Sequence, residues 1–158
     1  MLLLKSIAGK QILRSFIITL MWSLTATSVI TPRIYLRIEY ALGHGGTEPY
    51  MFPILDWPQY FVLCFSTLLM GILIEDFAMF ILMYFIGVLL ACLFMYVLIC
   101  LPIYLNILSS EYLLHDGLSE VALNYIAKSW VIAPFVAFFF VGLIGVLTGD
   151  FLMERSPH

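Results

Sequence analysis

Lysine and arginine are absent from residues 38–127 of this 158-residue chain. Within that gap, residues 77–110 also lack aspartate, glutamate and histidine. A water-soluble fold needs charged surface over such a length, because lysine, glutamate, arginine and aspartate are the residues that stay outside. Only 11% of the chain is charged, less than half the usual quarter. By contrast, 63% is hydrophobic and the mean hydropathy is +1.07. A soluble globular domain is excluded, and the composition is that of a polytopic membrane protein.

Other absences narrow the chemistry. There is no basic run and the net charge is only −3, so the electrostatic footprint of a nucleic-acid-binding protein is missing. Cysteine is scarce. Cys64, Cys92 and Cys100 all fall in apolar runs without a CxxC pair, and they read as small buried hydrophobes rather than a redox pair or metal site. No GxSxG or HExxH occurs. Gly43–Gly46 lacks the Lys-Ser/Thr of a phosphate loop and links no strand to a helix.

What remains is hydrophobic length. At about 20 residues per crossing, the chain holds four transmembrane helices and no sizeable soluble domain. The expected fold is all-α, with crossings at about 15–31, 59–74, 77–101 and 129–149 in one membrane domain, 1–158. The first apolar segment is the least greasy, with Thr19, Ser23, Thr25, Thr27 and Ser28. Before it, Lys5, Lys10 and Arg14 form a basic flank. That flank, the short apolar run and Thr25-Ala26-Thr27 also fit a cleaved signal peptide, although apolar residues continuing to Ile30 favour a retained helix. Thr31-Pro32 resembles a helix start and Gly43 a stop. The spacing of Ile34, Ile38 and Leu42 against Arg33 and Arg37 predicts an interfacial helix over 32–42, with a bent extension of the first crossing as its rival. Tyr50, Phe52, Trp57 and Tyr60 suit the aromatic belt. Asp56 with Pro58 resembles another helix start. The outer connection at 102–128 opens on Pro102, a break or kink, and is expected to carry short interfacial helices of its own.

Four crossings put both termini on one side. Lys5, Lys10, Arg14 and Arg155 lie there, against Arg33, Arg37 and Lys128 opposite. The flank of the first helix favours a cytoplasmic N-terminus and hence a cytoplasmic C-terminus.

Small residues mark expected helix contacts. Ala133, Ala137, Gly145 and Gly149 share a four-residue register, and Gly87 and Ala91 repeat the spacing. Small residues let backbones approach where lipid gives no hydrophobic reward for association. This seam serves either packing within the chain or a partner subunit. Two constellations carry potential chemistry. Glu111 and His115 lie one helical turn apart with Asp116 following, and His44 belongs to the same outer side, so these four are the candidate metal ligands. Against them stands a solvated acidic rim. Glu75-Asp76 is the acidic pair of a long apolar stretch. As a turn it is simply wet, whereas at depth it would carry protons or cations.

Polar side chains within the crossings are almost confined to hydroxyls, unlike a transport path. The expected function is a non-catalytic membrane subunit or assembly factor of a larger complex, partnered by lipid and by other membrane subunits or its own copies, and needing no cofactor. The alternatives are a small oligomeric transporter or channel lined by Glu75, Asp76 and the first helix, and a membrane-embedded enzyme acting on an apolar substrate at the outer interface.

Overall fold

A computed structural model describes residues 2–43, 55–74, 76–104, 123–124, 126–127 and 132–154. Among these, the chain forms four long helices and no strand: α1 (Leu2–Gly43), α2 (Trp57–Ile74), α3 (Phe77–Tyr104) and α4 (Ile132–Glu154). Each contains a stretch long and apolar enough to cross a membrane: Gly9–Arg37, Trp57–Ile74, Phe77–Leu101 and Phe135–Leu152. This is the architecture of a multi-pass integral membrane protein.

Local chemistry sets the helix starts. The Asp56 carbonyl accepts from the Gln59 and Tyr60 amides at 3.0 Å each, and the Asp56 amide donates to Gln59 Oε1 at 3.0 Å. The glutamine side chain thus reaches back over the first turn as in a capping box, and Pro58 sits where no intrahelical amide is needed. At α3, Asp76 Oδ1 accepts from the Met79 amide at 2.6 Å, and the Asp76 carbonyl accepts from the Phe80 amide at 2.8 Å. Asp76 is therefore the N-cap of α3, two residues after α2 ends. Pro134 falls in the first turn of α4, where it also forfeits no bond.

The expected interfacial helix at 32–42 is not a separate element. Residues 2–43 are one helix with Pro32 inside it. The reason is tertiary. Trp22, Ala26, Ile30 and Ile34 form a four-residue ridge, and Ile30 and Ile34 are each only 1% exposed on either side of Pro32. Their burial carries the helix across the proline. Within a membrane an irregular break would free more backbone groups than the single bond Pro32 removes. The local signal at Thr31-Pro32 was that of a cap, but Thr31 is interior and buried. The fourth helix, expected at 129–149, spans Ile132–Glu154 and so continues past Asp150.

The bundle pairs α1 chiefly with α3 and α2 chiefly with α4, with α1 also lying along α2. Contacts between α1 and α3 climb both helices together, from Ser23 against Gly87 to Tyr35 against Leu98. Those between α2 and α4 do the same, from Tyr60 against Phe138 to Ile72 against Gly149. Both are parallel pairs, as alternate crossings require. Outward-facing ridges are apolar on every helix. Trp57, Phe61, Phe65, Leu69 and Leu73 line α2, and Phe85, Leu89, Leu93, Val97 and Leu101 line α3. In a membrane such faces meet lipid tails.

Candidate functional site: the polar seams of the bundle

Among the described residues, the buried polar side chains of the spans gather where helices meet. On α1 the residues Ser15, Thr19, Ser23, Thr27 and Thr31 repeat every fourth position, and all five are buried. Opposite them on α3, Met83, Gly87, Ala91, Met95 and Ile99 repeat at the same spacing and are buried too. Two ridges of four-residue spacing interlock in this way when helices pack closely.

The hydroxyls satisfy themselves and then reach across. Thr19 donates to the Ser15 carbonyl at 2.8 Å, Ser23 to the Thr19 carbonyl at 2.8 Å and Thr27 to the Ser23 carbonyl at 2.7 Å. Back-bonding of this kind is how serine and threonine lie within a helix. Ser23 Oγ is also 2.9 Å from the Gly87 carbonyl, and Thr27 Oγ1 lies 3.4 Å from that of Ala91. Gly87 keeps this approach close. A Cβ there would stand 3.0 Å from the Trp22 ring and 3.1 Å from Thr19 Cγ2.

Three further bonds tie the helices. Trp22 Nε1 donates to Thr67 Oγ1 at 2.9 Å, and that hydroxyl donates onward to the Leu63 carbonyl at 2.6 Å. Tyr84 has no exposed surface, and its hydroxyl donates to the Phe135 carbonyl at 2.8 Å. Its ring lies 5.4 Å from those of Phe135 and Phe139, 5.5 Å from Trp22 and 5.9 Å from Phe80, so one tyrosine joins α1, α3 and α4. Tyr35 donates to the Leu98 carbonyl at 2.6 Å. That carbonyl is the one whose helical partner would be the amide of residue 102, and Pro102 has none. The tyrosine replaces the missing donor, which lets α3 continue through Pro102 to Tyr104.

The α2–α4 seam is made of backbone. A Cβ on Gly71 would collide with the Gly142 carbonyl, and one on Gly145 with the Leu68 carbonyl. On Gly149 it would stand 2.9 Å from the Ile72 carbonyl. Gly142 leaves room for the Phe80 ring of α3. Gly145 and Gly149 of the expected seam thus lie against α2, and Gly87 and Ala91 lie against α1. Ala137 is exposed and stands away from the contact. Ala133 is helical, and its side chain lies outside the described residues. On α4 the buried positions among the described residues are Phe138, Gly142, Gly145, Val146 and Gly149, a face that Ala137, two four-residue steps before Gly145, falls beside rather than on. Gly142 was missed because neither Phe138 nor Val146, four residues away, is small, whereas Thr67 and Gly71 form a small-residue pair that was passed over.

Asp76 is exposed and serves as the cap of α3. Glu75, His44, Glu111, His115 and Asp116 lie outside the described residues. Among the described residues, no three of His, Cys, Asp and Glu converge as a metal ion needs. Arg33 pairs with Asp56, tying α1 to the start of α2 with both side chains partly exposed. Such exposed pairs contribute about 0–1 kcal/mol, so this one orients more than it stabilises. Comparisons of the chain with protein-family models, with curated proteins and with solved structures return no match.

Proposed function

We propose that this chain is a non-catalytic integral membrane subunit, or an assembly and stabilising factor, of a larger membrane complex. The observation that carries this reading is how the polar side chains inside the spans are used. Trp22, Tyr84 and Tyr35 donate to neighbouring helices of the same bundle. Thr67 accepts the Trp22 bond while donating to Leu63 in its own helix, and Ser23 Oγ lies between the Thr19 carbonyl and the Gly87 carbonyl across the seam. A conducting or catalytic path needs polar groups left for water, ions or substrate. Outward, the bundle offers ridged apolar surface, including the stacked rings of Phe61 and Phe65 with centroids 6.3 Å apart. Such surface serves lipid and neighbouring membrane helices alike.

The basic flank Lys5, Lys10 and Arg14 supports cytoplasmic termini. The helical residues Leu123, Asn124, Ile126 and Ala127 support a short interfacial helix in the second outer connection. The test is native mass spectrometry of the protein extracted gently from its own membrane. Co-purification with other membrane chains at fixed stoichiometry is expected. A clean monomer or homo-oligomer under the same conditions overturns the reading and returns weight to transport or catalysis.

A further inference from the structure

Two arginines bracket the first crossing. Residues 15–32 carry no charged side chain, and Arg14 and Arg33 close the stretch at either end. Their separation along α1 is about 28 Å by helical rise, close to the hydrocarbon thickness of a bilayer, about 30 Å. Arg14 therefore stands at the polar boundary on the N-terminal side, as Arg33 does on the other. Every residue from Gly9 to Arg14 is exposed, and a Cβ on Gly9 would meet nothing within 4 Å. Over these turns α1 emerges from the bundle. Lys10 and Arg14 are one turn apart and point the same way. Their stripe continues through Ile17, Met21 and Leu24, which are exposed at 52%, 63% and 45%. Alternating steps of four and three residues keep these five positions on one face of the helix. The buried hydroxyls Ser15, Thr19 and Ser23 occupy the opposite face.

We propose that this stripe binds an anionic phospholipid of the leaflet at the N-terminal end of α1, its phosphate held by Lys10 and Arg14 and an acyl chain laid along Ile17, Met21 and Leu24. Depth, charge and length select this occupant. An exposed apolar stripe within a crossing meets acyl chains, and two cations at its end meet the headgroup of the same lipid. Arginine offers phosphate a planar fork of N–H donors, and lysine offers a compact ammonium charge. Their long stems let both heads reach the interface while the methylenes stay against apolar surface. A zwitterionic headgroup carries its own cation beside the phosphate, so a pair of cations favours a lipid of net negative charge. From Arg14 to Leu24 is about 15 Å along the axis, the depth of one leaflet of a core about 30 Å thick. Two carboxylates described at this end have other places. Asp76 Oδ1 is engaged as the cap of α3, and Asp150 lies on α4, which α1 does not contact among the described residues. Such a site serves a subunit, a transporter or an enzyme alike.

The test places the full chain in nanodiscs of equal parts phosphatidylcholine and phosphatidylglycerol. Each lipid in turn carries the same photoreactive group on an acyl chain, and cross-links are mapped by mass spectrometry. Phosphatidylglycerol is expected to label residues 13–24 in preference to phosphatidylcholine. One cation near an anionic membrane surface is worth about a fivefold preference. Lys10→Gln should therefore lower the ratio about fivefold, and Lys10→Gln combined with Arg14→Gln should bring it near parity. Lys10→Arg should keep it, and Arg37→Gln, beyond the far end of the same crossing, should leave it unchanged. Lys10 is exposed beside the uncontacted Gly9, so Lys10→Gln should resist unfolding as the parent does, which separates lost binding from lost fold. Equal labelling by the two lipids overturns the proposal, as does a preference that survives Lys10→Gln or falls equally in Arg37→Gln. An acidic segment of a partner chain cross-linked to Lys10 in the protein's own membrane also overturns it and assigns the cations to a protein contact.

Discussion

Gly145→Leu is expected to prise α2 from α4 and leave most of the protein misassembled. A Cβ at this position meets the Leu68 carbonyl at once, with Gly71 Cα and the Ile72 nitrogen each 3.2 Å away. These are backbone atoms and have no rotamer to escape into. Overpacking a core usually costs about 1–3 kcal/mol, and a clash with a neighbouring backbone belongs at or above the top of that range. Membrane helices depend on such close approach because lipid competes equally well for apolar side chains. The check is denaturant titration in mild detergent alongside Ala137→Leu. Ala137 is exposed on the same helix, and its substitution should stay within about 0.5 kcal/mol of the parent. Equal effects at the two positions would remove the glycine seam from the account.

Tyr84→Ala is expected to cost about 3–5 kcal/mol, the range for deleting a buried aromatic ring. The ring is enclosed by Trp22, Phe80, Phe135 and Phe139, so the cavity opens at the junction of three helices. Tyr84→Phe keeps the ring and loses only the hydroxyl. It leaves the Phe135 carbonyl with one fewer donor and should cost about 1 kcal/mol. Measuring both in one unfolding assay separates packing from hydrogen bonding. A phenylalanine variant as unstable as the alanine variant would mean that the hydroxyl, not the ring, holds this junction.

Four apolar helices were legible in the sequence because the charge gaps are long and the hydrophobic stretches match a bilayer. The continuity of α1 was legible only as the rival reading, an extension of the first crossing through Pro32. Thr31-Pro32 has the local chemistry of a helix start, and only the burial of Ile30 and Ile34 on another part of the bundle overrides it. The small-residue register on the fourth helix was legible at Gly145 and Gly149. It left the face by Ala137, because α4 meets its neighbours through Phe138, Gly142, Gly145, Val146 and Gly149. Gly142 and Tyr84 gave no sequence pattern, since their importance comes from helices distant in the chain. One signal was present and passed over. The hydroxyls of the first crossing were counted as polarity, whereas Ser15, Thr19, Ser23, Thr27 and Thr31 fall on a single four-residue ridge. The histidine and carboxylate cluster of the outer connections lies outside the described residues, so the structure bears on it at no point.

The account rests on one claim, that polar side chains within the crossings hold the bundle together rather than line a path through it. The most direct measurement combines Ser23→Ala, Thr67→Val and Tyr84→Phe in one chain. It follows unfolding in bicelles together with proton flux in liposomes. Interhelical hydrogen bonds in membranes are worth about 0.6 kcal/mol each, roughly 2 kcal/mol for three. The expected result is a loss of stability of that size with flux unchanged from the parent. Unchanged stability with altered flux would contradict the claim and mark these residues as the lining of a path.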